Sequence, residues 1–466
     1  MRNRLATFLD QLSASYWFIP SVMAILAALL SVVSIWLDEG VGRELRWVTG
    51  LIYVDSAEGA RQLLATVASS MITVAGVVFS LTMVVLSLTS QQYGPLVLTH
   101  FMRDRGNQVV LGVFTATFLY CLLVLRTIRG GEDNVFVPHI SVLLGLLLSV
   151  ASLAVLIYFI HHVSRSIQAT SIIARIGSEL IRQIEHQFPE QIGRGTEPSA
   201  DADDDARAKA LLGDADEVAA AADAKAASAI AITTKDGGYL QMVDENALLQ
   251  TALDHDLLLR LEVLPGMFLF RGQAVARLLG TDVRASAKAL DIAAITDGVR
   301  DALVIGSERT QAQDIEFIIT QLSAIAVRAL SPSLNDPHTA LMVIDRLAEA
   351  LCMVLRRPPP SLYRYDDEDR LRVIAPVVTF PTLFHTAFDG IRHYGYGDPK
   401  IAVRLLEIFT VLWDCTRSPD TREFLTRYAA ALVRESQAQL TEDEDQRVTH
   451  AYARFSRAMQ PQQEGN

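Results

Sequence analysis

Charge is what the first third of this 466-residue chain lacks. Between Arg61 and Arg103 there is no Asp, Glu, Lys or Arg. That gap is well beyond the roughly 20 apolar residues needed to cross a bilayer. Cysteine is scarce too: Cys121, Cys352 and Cys415 show no short-range pairing and no metal-ligand spacing, which predicts buried, reduced thiols. No phosphate-cradling glycine loop, H-E-x-x-H, G-x-S-x-G or C-x-x-C is present, and no Ser, His and Asp stand where a nucleophile meets its base. The expectation is therefore a non-enzyme with no cofactor and no metal. A net charge of −12 argues against nucleic acid as a partner. Nor does a small-residue cleavage site follow the first apolar run, so no cleaved signal peptide is expected.

What is present is apolar. Half the residues are hydrophobic, the mean hydropathy is +0.26, and the excess sits in the first 165 residues. Four spans are predicted at about 17–37, 62–90, 109–127 and 140–162, with Tyr16, Trp17 and Trp36 placed for the interfaces of the first. The second is the longest. Asp55 and Glu58 have capping-box spacing and Gly94-Pro95 is a stop, giving about 35 residues and near 50 Å at ~1.5 Å per residue. Along one of its faces run Thr66, Ser69, Thr73, Gly76, Ser80, Met83, Ser87 and Ser90, at alternating steps of three and four. All but Met83 are small or hydroxylated. Such a seam lets another helix approach closely, or lines a wet path when several copies surround an axis. Gly112, Ala116, Ser141, Gly145, Ser149 and Ser152 are contact surfaces for packing of the third and fourth spans.

Arginine does not decide the orientation. Arg2, Arg4, Arg103, Arg105 and Arg165 lie on one side, and Arg43, Arg46, Arg61, Arg126 and Arg129 on the other. The reduced-thiol reading tips the choice to both termini in the cytoplasm and the body in a bacterial inner membrane. Beyond His161-His162, expected to be solvated, with a metal or pH-sensing role as the lesser reading, the helix is predicted to continue as a stalk over 166–187. An acidic, then alanine-rich linker follows at 188–227.

The period then changes to that of strands. Residues 228–282 read as a small β-domain: two strands flank Lys235-Asp236-Gly237-Gly238 as a hairpin, and two more are turned by Pro265-Gly266. The Gly266–Gly272 stretch looks like the hairpin of biotinyl and lipoyl carrier domains, without a lysine at its tip. Residues 283–460 read as helical. Thr310 and Gln313 suggest a capping box, and Asp336-Pro337, Asp398-Pro399, Ser418-Pro419 and Thr441 with Glu444 mark later helix starts. The fold class is a mainly α membrane protein, four transmembrane helices followed by a cytosolic α+β part.

The run from Arg328 to Ala340, Arg-Ala-Leu-Ser-Pro-Ser-Leu-Asn-Asp-Pro-His-Thr-Ala, resembles the signature of a bacterial predicted membrane protein family of unknown function, domain-of-unknown-function family 2254. Glu308-Arg309-Thr310, Gln313-Asp314 and Phe79-Ser80 to Tyr93-Gly94-Pro95 are similar to its pattern. The resemblance implies four spans and a cytosolic C-terminal half, and no activity. Physically, the signature is a corner between two helices. Its functional version has Arg309, Arg328, Asn335, Asp336 and His338 converging on a polar pocket. The spans lack the charged groups that coupled carriers keep near the midplane. Two functions remain: a homo-oligomeric channel-like protein lined by the second span, and a non-conducting membrane scaffold or sensor whose C-terminal part binds a ligand or protein partner.

Overall fold

The computed structural model describes residues 17–41, 56–94, 104–131, 134–188, 230–279, 291–368 and 370–459. The linker, the loop before the second span and the stretch from Pro95 to Arg103 lie outside the described residues. The chain divides into two compact units, Met1–Ile172 and Ile173–Asn466.

The first unit holds four helices long and apolar enough to cross a membrane: α1 (Phe18–Val41), α2 (Ala57–Tyr93), α3 (Arg105–Leu125) and, after a small antiparallel ribbon of β1 (Arg129–Gly131) and β2 (Asn134–Phe136), α4 (His139–Ser166). The cap of α2 is Ser56 rather than Asp55, its side chain accepting from the Gly59 amide at 3.1 Å. Gly94, at φ +91°, ends the helix in a conformation that a side chain resists. Small residues bring the helices together where the sequence places them. A Cβ on Gly112 would lie 2.5 Å from Met23 Sδ of α1, and one on Gly145 would lie 3.0 Å from Leu64 of α2. Tyr120, Cys121, Leu64 and Val142 make one apolar cluster; Val85, Val110, Phe114, Phe159 and Val163 make another nearer the opposite end.

The fourth span does not run on as one helix. It ends at Ser166, and α5 (Ala169–Gln187) restarts after a two-residue turn. The stripe expected of a free stalk is buried inside the second unit: Ile173, Ile176, Leu180 and Ile184 are all within 2% of full burial. Gly177 faces the stem of Arg346, and Arg357 donates to the Phe188 carbonyl at 2.7 Å.

The β-strands are β3 (Ile230–Thr233), β4 (Gly238–Val243), β5 (Leu258–Leu261), β6 (Phe268–Leu269), β7 (Ala274–Leu279), β8 (Leu303–Gly306), β9 (Tyr363–Tyr365) and β10 (Leu371–Ile374). They form two sheets, ordered β3-β7-β5-β10-β9 and β6-β4-β8. Neither expected hairpin exists. β3 pairs with β7 while β4 pairs with β6 and β8, so Lys235–Gly237 carries the chain from one sheet to the other. The stretch from Gly266 to Gly272 likewise contains β6 and leads into β7, which lies in the other sheet, so the carrier-domain likeness fails. β8, β9 and β10 come from beyond residue 282, as do Ile295, Val299 and Val373 of the shared apolar core. Two short helices, α6 (Glu245–Asp254) and α7 (Ile292–Asp301), pack there.

The remaining helices are α8 (Ile315–Ala329), α9 (Pro337–Arg356), α10 (Phe380–Gly395), α11 (Pro399–Cys415), α12 (Pro419–Gln437) and α13 (Glu442–Ala458). Asp336, Asp398 and Ser418 cap as their Pro-containing dipeptides predict, and Thr441 with Glu444 forms a capping box. Phe384 centres a cluster of rings with Phe388, Phe409, Phe424 and Tyr428. Cys352 and Cys415 are joined by a disulfide between α9 and α11, which overturns the expectation of reduced thiols in this half. Cys121 is free and buried.

Candidate functional site

An α-helix advances ~100° per residue, so a face is read from burial every third or fourth position. On α2 the face turned into its own unit is Ala60, Leu64, Ala68, Ala75, Val78, Thr82, Val85 and Thr89. The hydroxyl seam lies on roughly the opposite side. Thr66, Ser69, Thr73, Gly76, Ser80 and Ser87 are all exposed, Ser90 is half-buried, and a Cβ added to Gly76 would meet nothing within 4 Å. Helix packing inside the chain is therefore done by the alanine-rich face, and no described residue covers the seam. Its hydroxyls have local acceptors: Thr66 donates to the Gln62 carbonyl at 2.7 Å and Thr73 to Ser69 at 2.8 Å.

Both ends of the spanning unit carry polar knots. Near the C-terminus of α1, Asp38 accepts from the Ile140 and Ser141 amides at 2.8 and 2.9 Å and from the Ser141 hydroxyl at 2.6 Å. It satisfies the first turn of α4, whose own N-cap, Pro138, offers no side-chain bond. Ser34 lies 3.0 Å from the Tyr120 hydroxyl, which donates to the Ser141 carbonyl at 3.0 Å, so α1, α3 and α4 share one network. At the other end, Asp104 caps α3 through the Gly106 amide at 2.8 Å and holds His162 Nε2 at 3.1 Å from both carboxylate oxygens. Tyr158 stacks on that imidazole. A Cβ on Gly106 would come within 2.7 Å of His162 Nε2, so glycine keeps the pair closed. His162 is thus held by Asp104 and Tyr158 and is not the solvated residue expected; His161 is exposed. One turn into α3, Asn107 is fully buried, its carboxamide unpartnered among the described residues.

The signature residues do not converge. Arg309 pairs with Asp314 through two hydrogen bonds of 2.8 and 3.0 Å, and its guanidinium lies over Phe317. The Asp314 side chain is 2% exposed and caps α8 through the Phe317 amide. Burial pushes its carboxyl up against the pull of Arg309. Gly266, at φ +91°, leaves room for this pair, since a Cβ there would sit 2.1 Å from Asp314 Oδ2. Gln313 is no capping-box member. Its amide accepts from the Val243 N–H at 2.8 Å and donates to the Val243 carbonyl at 3.0 Å, standing in for a neighbouring strand. Arg309 therefore belongs to a joint between sheet and helix.

Arg328, Asn335, Asp336 and His338 lie at the other end of α8, roughly 20 Å away at ~1.5 Å per residue. All four are exposed. Asn335 takes φ +47°, and Asp336 caps α9 through the Thr339 amide at 3.1 Å and hydroxyl at 2.6 Å. Those bonds, with His338 alongside, hold the Asp336 carboxyl below the usual range. This is the helix corner; the five-residue pocket is not formed.

Sequence reasoning missed a cluster on α10 and α12. Tyr428 donates to Asp389 at 2.7 Å, and His385 Nδ1 lies 3.0 and 3.1 Å from the same carboxylate. Burial, then the bond to Asp389, raises the Tyr428 phenol far above its ordinary value. The His385–Asp389 spacing of four was the available signal; Tyr428 lies too far along the chain to be linked to it.

A family model described as predicted membrane protein, DUF2254, matches residues 13–410. An uncharacterized protein of Mycobacterium bovis and one of Mycobacterium tuberculosis are each 28% identical over 456 residues, covering 96% of this chain and 80% of theirs. No solved structure matches the chain.

Proposed function

The chain belongs to the DUF2254 family of predicted membrane proteins, and from that premise we propose a homo-oligomeric, channel-like protein whose second spans meet around an axis. The observation that carries this reading is the seam of Thr66, Ser69, Thr73, Gly76, Ser80 and Ser87, which faces away from its own unit on a helix otherwise clothed in exposed Ile72, Val77, Leu81 and Val84. Hydroxyls on an apolar helix gain nothing from lipid tails. Against the same face of other copies they line a narrow, uncharged path suited to weakly selective passage of ions or small solutes. The second unit gates or assembles the ring, and no catalytic step is involved.

The proposed setting is the inner membrane of a bacterial cell, with both ends on one side because four spans are an even number. Five arginines on each side do not decide which side that is, and the Cys352–Cys415 bridge removes the reduced-thiol argument for the cytoplasm. Ser80→Leu is expected to abolish ion flux in proteoliposomes while leaving the oligomer intact on size exclusion. Flux that survives the substitution, or a wild type without flux, overturns the channel. The second reading, a non-conducting sensor, draws on a cavity of about 370 Å³ in the second unit.

A further inference from the structure

The cavity lies between the C-terminal parts of α10 and α12 and is lined by Arg392, His393, Tyr396, Glu435, Ala438 and Gln439. Its volume is within the range of small-ligand sites, roughly 300–1,000 Å³. Arg392 is the informative residue. Its guanidinium sits 4.4 Å over the Tyr428 ring and its side chain is 23% exposed. Its nearest acid, Glu435, is 3.6 Å away, an ion pair too long for a hydrogen bond. A guanidinium has five N–H donors in a rigid fork matched to a carboxylate. Here it is aimed by an aromatic ring, with no protein hydrogen-bond acceptor among the described residues. Tyr428 is itself fixed by Asp389, and Tyr396 is fixed by Gln439, whose amide donates to its hydroxyl at 3.0 Å. Two of the side chains around the guanidinium are thus already held by protein partners, and groups placed before binding lower its entropic cost.

We propose that this cleft binds a small zwitterion of the α-amino-acid class. The ligand's carboxylate takes the Arg392 fork, with His393 beside it, and its ammonium takes Glu435. Glu435 decides the class. A simple anion would face its charge at close range, and a simple cation would face Arg392, whereas a ligand with both signs a few ångströms apart satisfies both walls. The proposal gives the sensor reading its ligand class and holds whether or not the first unit conducts.

The test uses the full-length protein in detergent and calorimetric titration with glycine, L-glutamine and L-leucine. The comparison ligands are N-acetyl-L-glutamine, which lacks the ammonium, and L-glutaminamide, which lacks the carboxylate. At least one free amino acid is expected to bind, and for L-glutamine each derivative should bind at least tenfold more weakly. Arg392→Gln and Glu435→Gln should each weaken binding at least tenfold with the thermal midpoint of the second unit unchanged. Binding of L-glutamine no tighter than that of its derivatives, unchanged binding in both variants, or no binding by any of the three amino acids overturns the assignment. Flux in liposomes is a separate readout, so loss of one proposal leaves the other standing.

Discussion

The two ends of helix α8 carry the same device and use it differently. At one end Asp314 caps from inside the protein, against Arg309 and under Gly266; at the other Asp336 caps the next helix from the surface. Both carboxylates satisfy amides that a helix start leaves open. Burial turns the first into a joint between a sheet and a helix, because a carboxylate out of water needs its counter-ion and the counter-ion needs it. Exposure leaves the second replaceable by water. Identical local chemistry thus gives one position on which the second unit depends and one that merely trims it.

Four substitutions rank that contrast. The largest effect is expected from Cys352→Ser, which removes the tether between α9 and α11. Closing a loop of 63 residues is worth roughly 4 kcal/mol in the chain-entropy account, read as a fall in unfolding midpoint that reductant reproduces in the wild type. Asp314→Ala should come next, at about 3 kcal/mol, since it leaves Arg309 half-buried and unpaired. A loss as small as that at Asp336 would erase the distinction between the two ends. Asp336→Ala should cost about 1 kcal/mol as a lost cap. The pH dependence follows from the sign of its shift. The folded carboxyl titrates below its unfolded value of ~3.9, so the cap contributes fully above that value and is lost as pH falls through the folded one. Wild type and Asp336→Ala should therefore converge in thermal midpoint as the pH drops below about 4 and differ by a constant amount from about pH 5 to 8. Tyr120→Phe, in the spanning unit, should cost least, somewhat under 1 kcal/mol in detergent unfolding, because Ser141 keeps Asp38 and Ser34 keeps the Ser31 carbonyl.

Local chemistry was legible in the sequence and distant pairing was not. Asp-Pro and Ser-Pro dipeptides placed the starts of α9, α11 and α12 to the residue, since proline and an N-cap oxygen act within four positions. The four spans were legible because their length is set by the bilayer. The seam on α2 was visible as a stripe, but which way it faces depends on neighbours up to a hundred residues away. The sheets defeated the reading at Lys235–Gly238 because turn residues mark a change of direction and say nothing of which strand waits on the far side. Asp104 with His162, Cys352 with Cys415, and Tyr428 with Asp389 are separated by 58, 63 and 39 positions. Spacing patterns have no reach at those distances.

The sheet order β3-β7-β5-β10-β9 sets a timetable for synthesis. β5 finishes at Leu261, yet its parallel partner β10 begins only at Leu371, about 110 residues later. At ~5–20 residues per second, the growing chain must keep that strand edge unpaired for roughly 5 to 20 seconds. During this interval the edge is open to pairing with another nascent chain. Slowing the ribosome between codons 262 and 370 should therefore lower the yield of folded protein more than the same delay placed after codon 380.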